Sequence, residues 1–458
     1  MSILNEPGRF LTGSIMGHVA RMTLTGMIGF VFIFAVDAIN LYWLSQTGDT
    51  TLVAAAGFAM AIQVISLAGG ISMMVASSAL ISRALGAGEA ELARRQTASG
   101  AVIAAVVQGI VAALLISFRH PVLAFLGAEG EVAAQAAHYL VVSLPALTVL
   151  GAGMVINGAI RAQGDARRSV GVTMLGGLVS AILGYVLIHR AGLGLTGAAL
   201  SVSAAQCVSF LLAFRVARRV HDLLARPRAA DIRATFGPFM VIAVPAMLSQ
   251  LARPVGLAVL VMVMAPFGEE AVAGWTVLSR LIMVAFGGLL SLAAMIGGIF
   301  GQNYGAGRID RVRRTFRDAT IFGVAYVLVV WALLIWVTEP AIRAFGVTGL
   351  GADVLRAFTH YGAGGYVFAA MLFVNGAALN VLGRPHWATG FAWVREVALT
   401  WPAAVLMAGW FGAVGVVYSQ IVVSMIIGTA AWLVGLWYIR SLKPGSVAPS
   451  ATTPTLAE

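Results

Sequence analysis

Residues 85–95 read LGAGEAELARR, and residues 304–314 read YGAGRIDRVRR. Gly86, Ala87, Gly88, Arg94 and Arg95 return as Gly305, Ala306, Gly307, Arg313 and Arg314, an offset of 219. Two further blocks follow in the same order. Asn157 and Gly158 return as Asn375 and Gly376, and Gly194, Gly197 and Ser201 as Gly412, Gly415 and Ser419, at an offset of 218. A nearly constant offset across three separated blocks marks an internal duplication, and a duplication constrains architecture before any short motif does.

The duplicated unit belongs in a membrane. The 458 residues are 60% hydrophobic and only 10% charged, whereas a soluble globular chain carries roughly a quarter charged residues. Lipid offers no partner for backbone N–H and C=O groups, so each crossing is a helix of about 20 apolar residues. Apolar runs between polar breaks predict spans at 17–45, 53–82, 97–117, 136–159, 169–188 and 195–216, then at 237–265, 271–300, 319–337, 357–382, 388–410 and 413–439. The first run is far longer than the apolar part of a cleavable signal peptide and reads as an uncleaved span.

Each repeat holds an even number of spans. Both halves therefore enter the bilayer in the same orientation, related by an axis along the membrane normal. The expected fold is an all-α integral membrane protein with twelve transmembrane helices in two parallel six-helix lobes. The amino-terminal lobe is expected at 1–216, a basic cytoplasmic linker at 217–236, the carboxy-terminal lobe at 237–440 and a disordered cytoplasmic tail at 441–458. A cleft between two such lobes is the default ligand site.

The net charge of +11 is distributed by topology. Arg83, Arg94 and Arg95 follow span two, and Arg161, Arg167 and Arg168 follow span four. Six arginines fall between 215 and 233, five between 308 and 317, then come Arg384, Arg440 and Lys443. The opposite loops carry only Arg119, Arg190, Arg343 and Arg356. Short cytoplasmic loops retain positive charge, so both termini are expected in the cytoplasm, with anionic lipid beside the basic face. Nucleic acid is not implied by a charge pattern of this kind.

Residue inventory excludes most enzymes. Lys443 is the only lysine, so the chain has neither a P-loop lysine nor an intramembrane Schiff-base lysine. Cys207 stands alone, no two of the seven histidines have zinc-face spacing, and no serine sits in a nucleophile elbow. GLGLTG at 192–197 fits a dinucleotide pattern. It follows no soluble strand and half of it returns near Gly412, which favours a tight turn into a closely packed helix. The chain is not expected to be an enzyme, and no metal or organic cofactor is expected.

The informative residues are ionisable groups inside spans, because each is costly unless it faces a cavity or a partner. Of eighteen acids, Asp37 and Glu396 alone fall well inside predicted spans. Asp37 shares a helical face with Asn40, one turn on, and desolvation favours the neutral form of a carboxyl, as proton carriage requires. Glu396 adjoins Arg395, which suggests a structural ion pair. Arg253 and Arg280 could snorkel, pair with Glu396 or line the cleft. Asn157 and Asn375, equivalent by the repeat, suit interhelical hydrogen bonding or ligand contact.

Over residues 15–440 the chain resembles the multidrug and toxic compound extrusion (MATE) family. The resemblance is carried by VDAINLYWLSQTGDTTLVAAAGFA (36–59), the paired LGAGEAELARR and GQNYGAGRIDRVRR, IRAQGDARRS (160–169) and GLGLTGAALSVSAAQ (192–206). It implies two six-helix lobes forming a V-shaped cleft, and export of amphipathic organic cations and other toxic compounds in exchange for protons or sodium ions. By position Asp37 matches the span-one acid of prokaryotic members, and Tyr139 looks like a family aromatic near it. The sodium-using branch has an acid eight residues after a span-seven proline, where this chain has Arg253 after Pro245, and its span-ten acid falls on Phe368. The DinF-like branch has an Asn and an Asp in span five, where this chain has Ser180 and Gly184. The resemblance is closer to the DinF-like than to the sodium-coupled branch.

The resulting expectation is a proton-coupled antiporter for multidrug efflux, with Asp37 and Asn40 at the ion-coupling site. Tyr139, Asn157, Arg253, Arg280, Asn375 and Glu396 are expected at the substrate cleft. The coupling ion is a proton or, alternatively, sodium, and a lipid-linked saccharide flippase is kept open by the arginines. A small-molecule substrate, the lipid bilayer of a bacterial cytoplasmic (inner) membrane and a monomeric state complete the reading.

Overall fold

A computed structural model describes residues 8–443; residues 1–7, and all but the first three residues of the tail expected at 441–458, lie outside the described residues. Twelve helices among the described residues are long and apolar enough to cross a membrane. They are α1 (Ile15–Ser45), α2 (Thr50–Gly86), α3 (Ala90–Ser117), α4 (Gly130–Ala162), α5 (Ala166–Arg190), α6 (Gly194–Arg219), α7 (Ala229–Phe267), α8 (Glu269–Gly305), α9 (Ile309–Phe345), α10 (Gly362–Val381), α11 (Pro385–Phe411) and α12 (Ala413–Ser441). Each predicted span has its helix.

The repeated Gly-Ala-Gly block is a helix stop used twice. After α2, Gly88 takes φ 79° and the Glu89 N–H donates back to the Ala84 carbonyl at 2.9 Å. After α8, Gly307 takes φ 70° and the Arg308 N–H donates to the Asn303 carbonyl at 2.9 Å. The left-handed glycine turns the chain so that otherwise unpaired last-turn carbonyls find donors.

Several spans are broken. Inside α4, Leu144–Ala146 forms a 3-10 turn around Pro145, because proline has no N–H for the helical ladder. A short helix, Gly349–His360, precedes α10, which opens with the 3-10 turn Gly362–Gly365. Trp331 of α9 donates its indole N–H to the Thr359 and His360 carbonyls at 3.0 and 3.2 Å. Where α8 breaks at Phe286, the Tyr326 hydroxyl donates to the Ala285 carbonyl at 2.7 Å. Carbonyls freed by helix breaks in a bilayer are thus given donors by neighbouring helices.

Packing divides the chain into two units, one built on 28–247 and the other on 12–27 with 248 onward. Helices α2–α6 lie wholly in the first and α8–α12 wholly in the second. The division falls inside α1 and α7, not in the loop ahead of α7. Phe239 explains the first unit's share of α7, for it is fully buried and lies 3.2 Å from the position a Cβ would occupy on Gly100 of α3. In the second unit, Ser291 of α8 donates to the Thr23 carbonyl of α1 at 2.8 Å.

The segment expected as a linker at 217–236 is helical at both ends, with α6 running to Arg219 and α7 starting at Ala229. Ahead of that, Leu223 is fully buried among Ile81, Ile160 and Ala213. His221 shares a 3.1 Å hydrogen bond with the Asp165 carboxylate, and Asp222 pairs with Arg94 at 3.1 Å. Asp165 also accepts from the Arg168 backbone N–H at 3.0 Å and its guanidinium at 2.6 Å, capping α5. Burial alone would push the Asp165 carboxyl up. The hydrogen bonds from His221 and Arg168, with the Arg168 charge, outweigh it and hold the group well below the usual carboxylate range.

Large apolar side chains such as Met262, Trp336 and Trp437 are mostly exposed. In water they would form aggregation-prone patches; on helices of bilayer length they are a lipid-facing surface.

Candidate functional site

In the first unit Asn40 of α1 faces α5. The Asn40 amide N–H donates to the Ser180 hydroxyl at 3.0 Å. Gly184, one turn beyond Ser180, leaves room for Asn40, whose Oδ1 lies 3.1 Å from where a Cβ would stand. Ser180 and Gly184 thus flank Asn40, at the positions where the resemblance expects an Asn and an Asp. Asn40 Oδ1 and the Trp43 indole N–H are buried without hydrogen-bond partners, and Trp43 packs on Tyr185 and His189 with ring centroids 5.2 and 5.9 Å away.

Asp37 stands one turn before Asn40. Its side chain is exposed from the helix packing, and no ion pair joins it to a cation among the described residues. Its charge reaches the buried Tyr139 phenol of α4. Gln63 of α2 acts on the same phenol, and the Gln63 amide donates to the Ser143 hydroxyl at 3.0 Å. Asp37, Asn40 and Tyr139 therefore belong to one polar region, joined by Gln63, Ser143 and Ser180. Gln63 and Ser143 escaped the sequence reading, although a glutamine in the apolar run of α2 is a signal of interhelical bonding.

The second unit carries a region of opposite sign. Arg395 and Glu396 form a close ion pair, both largely buried, on a π-helical segment, Val394–Leu399, within α11. Single π turns inside α-helices recur at functional sites. The Thr400 hydroxyl donates to the displaced Arg395 carbonyl at 2.7 Å, and the Arg395 guanidinium donates to Ser424 of α12 at 3.2 Å. Arg253 of α7 is half-buried, and no acid is paired with it among the described residues. Arg253, Arg395 and Glu396 all act electrostatically on the Tyr366 phenol of α10, which stacks on Phe286 at 3.9 Å. Arg253 and Glu396 are thus brought into one neighbourhood, but Glu396 takes Arg395 as its partner.

Of the expected cleft residues, Arg280, Asn157 and Asn375 remain. Arg280 is exposed on α8 and forms no ion pair among the described residues. Asn157 sits against α5, donating to the Thr173 hydroxyl at 3.5 Å. Asn375 is fully buried with neither amide atom hydrogen-bonded, and its Oδ1 occupies the space where Gly435 of α12 lacks a side chain. Among the described residues no cluster of His, Cys, Asp and Glu could hold a metal ion.

The MatE family model matches the chain twice, at residues 25–186 and 245–406. The chain belongs to the MATE family. One match in each half is the duplication read from the Gly-Ala-Gly blocks. Members of this family are transporters, so the protein is a multi-pass membrane transporter and not an enzyme. It is 25% identical over 434 residues to the FAD transporter of Shewanella oneidensis, covering 92% of this chain and 94% of that one. It is 23% identical over 451 residues to the multidrug export protein MepA of Staphylococcus saprophyticus, covering 93% and 94%. The Vibrio cholerae MATE transporter VcmN in its bent form superposes with a TM-score of 0.88 at 25% identity, covering 93% of this chain and 97% of VcmN. A MOP superfamily transporter from Pyrococcus furiosus shares the fold with a TM-score of 0.87 at 19% identity, covering 95% and 98%.

Proposed function

We propose that this MATE transporter is a secondary antiporter that exports small organic compounds in exchange for protons, with Asp37 as the coupling carboxyl. The observation that carries the reading is an acid inside a span that lacks a cationic partner and lies in a neighbourhood of neutral hydrogen-bonding groups. A carboxylate in the hydrocarbon region costs about 2.5–3.5 kcal/mol on insertion scales. Protonation removes that cost, and a competing ligand or an aqueous opening restores the charge. The names of the relatives, a multidrug export protein and an FAD transporter, support organic compounds as cargo.

Sodium is the weaker candidate because it needs several oxygen ligands, and the second unit offers Arg253 and Phe368 where the sodium-using branch has acids. The one acid well inside that unit's predicted spans, Glu396, is neutralised by Arg395. The proposed setting is a bacterial cytoplasmic membrane with both termini inside, on the asymmetry of the arginines.

The test is dye efflux by the purified protein in liposomes under an imposed pH gradient or an imposed sodium gradient. Movement driven by the pH gradient alone supports the reading. Movement driven by sodium alone replaces the coupling ion, and movement under neither rejects antiport.

A further inference from the structure

The second unit holds more hydrogen-bond donors and positive charge than its own side chains use. Arg395 spends part of its guanidinium on Glu396 and Ser424, yet its Nε is buried with no acceptor. Gln420 lies one turn before Ser424 on α12, and its amide nitrogen is also buried without an acceptor. Gly256 of α7 approaches Glu396 so closely that a Cβ there would meet its carbonyl oxygen and its Oε2 at 2.7 Å. Arg253, three residues earlier, shares that helical face. Its charge acts on Tyr366 together with those of Arg395 and Glu396. Two arginines and one glutamate leave one positive charge uncompensated inside the spans. Such a charge is costly and marks a substrate path.

We propose that Arg253, Arg395 Nε and Gln420 form a subsite for the anionic group, a carboxylate or phosphate, of an amphipathic organic anion or zwitterion. The proposal deepens the antiport reading and rests on it for the direction of transport. The buried groups left without partners, Arg395 Nε and the Gln420 amide nitrogen, are donors, and the only acid is already paired, so the net charge of the set disfavours a cation. Guanidinium groups give carboxylates and phosphates paired, charge-assisted hydrogen bonds. The stack of the buried Phe286 on Tyr366 lies alongside as an apolar wall of this region.

The experiment measures equilibrium binding of carboxyfluorescein, with rhodamine 6G as its cationic counterpart, to the full chain in phosphatidylcholine nanodiscs. Wild type is expected to bind the anion, and Arg253→Ala to weaken it by about tenfold or more, as loss of a charge-assisted contact does. Arg253→Lys, which keeps the charge, should recover most of the affinity. Gln420→Leu, which leaves every charge in place, should weaken anion binding several-fold without altering the melting temperature.

Wild type that binds only rhodamine 6G, or neither dye, overturns the proposal. So do Arg253→Ala and Gln420→Leu variants that both retain wild-type anion affinity. Anion binding that vanishes when phosphatidylglycerol is added to the discs assigns the site to a lipid headgroup and overturns the substrate assignment. Binding is measured without a gradient, so a failure of proton coupling leaves these outcomes readable.

Discussion

Asp37 and Glu396 are both carboxylates within spans, and their neighbours differ. Glu396 has a guanidinium beside it on the same helix and is held as half of an ion pair. Asp37 has no such partner among the described residues, and in the proposed antiport it cycles between charged and neutral forms. The expected outcome for Asp37→Asn is loss of pH-driven efflux to background in everted vesicles, with unchanged expression and elution as a folded protein. Retained exchange in that variant would remove Asp37 from coupling. Asp37 was legible in the sequence because acids inside spans are rare. Its surroundings were not legible, because Gln63 and Ser143 are 80 residues apart and meet only when α2 packs on α4.

At the scale of elements, close approach of helices is set by residues without side chains. Gly256→Ala places a methyl group 2.7 Å from a backbone carbonyl oxygen of α11 that cannot move aside cheaply. Destabilisation of about 1–3 kcal/mol is expected, as for other overpacked sites, with Gly256→Val worse than alanine. A thermal melt of the detergent-solubilised variants checks the order, and an alanine variant as stable as wild type would contradict the contact.

The capped start of α5 yields a pH dependence. Asp165 is held below its unfolded value, so its stabilisation is complete above the ordinary aspartate value of about 3.9 and is lost as pH falls through the lower folded value. Asp165→Asn is therefore expected to melt below wild type at pH 7, and the gap to narrow below about pH 4. Melting curves of the two proteins across that range test the sign. The helix breaks in α4 and α10 were only partly legible. Pro145 announces the first, whereas the second depends on Trp331 supplying its indole N–H to carbonyls 28 and 29 residues away.

At the scale of the whole molecule, the asymmetry of arginines makes a topological prediction. Cys207 is the only cysteine and is exposed, so Cys207→Ser gives a clean background for single-cysteine labelling. In that background Arg226→Cys should react with an impermeant maleimide only in inside-out vesicles, and Glu129→Cys only in right-side-out vesicles. The reverse pattern would invert the assigned orientation.

The sequence by itself determined the twelve spans, their duplication, the basic side and the scarcity of intramembrane acids. Those properties reside in composition and local order along the chain, and no folding is needed to read them. Only the tertiary structure decided that Asn40 bonds to Ser180 across 140 residues, that Arg395 and not Arg253 neutralises Glu396, and that the units divide inside α1 and α7. The contacts between helices depend on how each helix is rotated about its axis. One residue of rotation, about 100°, turns a side chain to a different neighbour while leaving the hydropathy of the span unchanged.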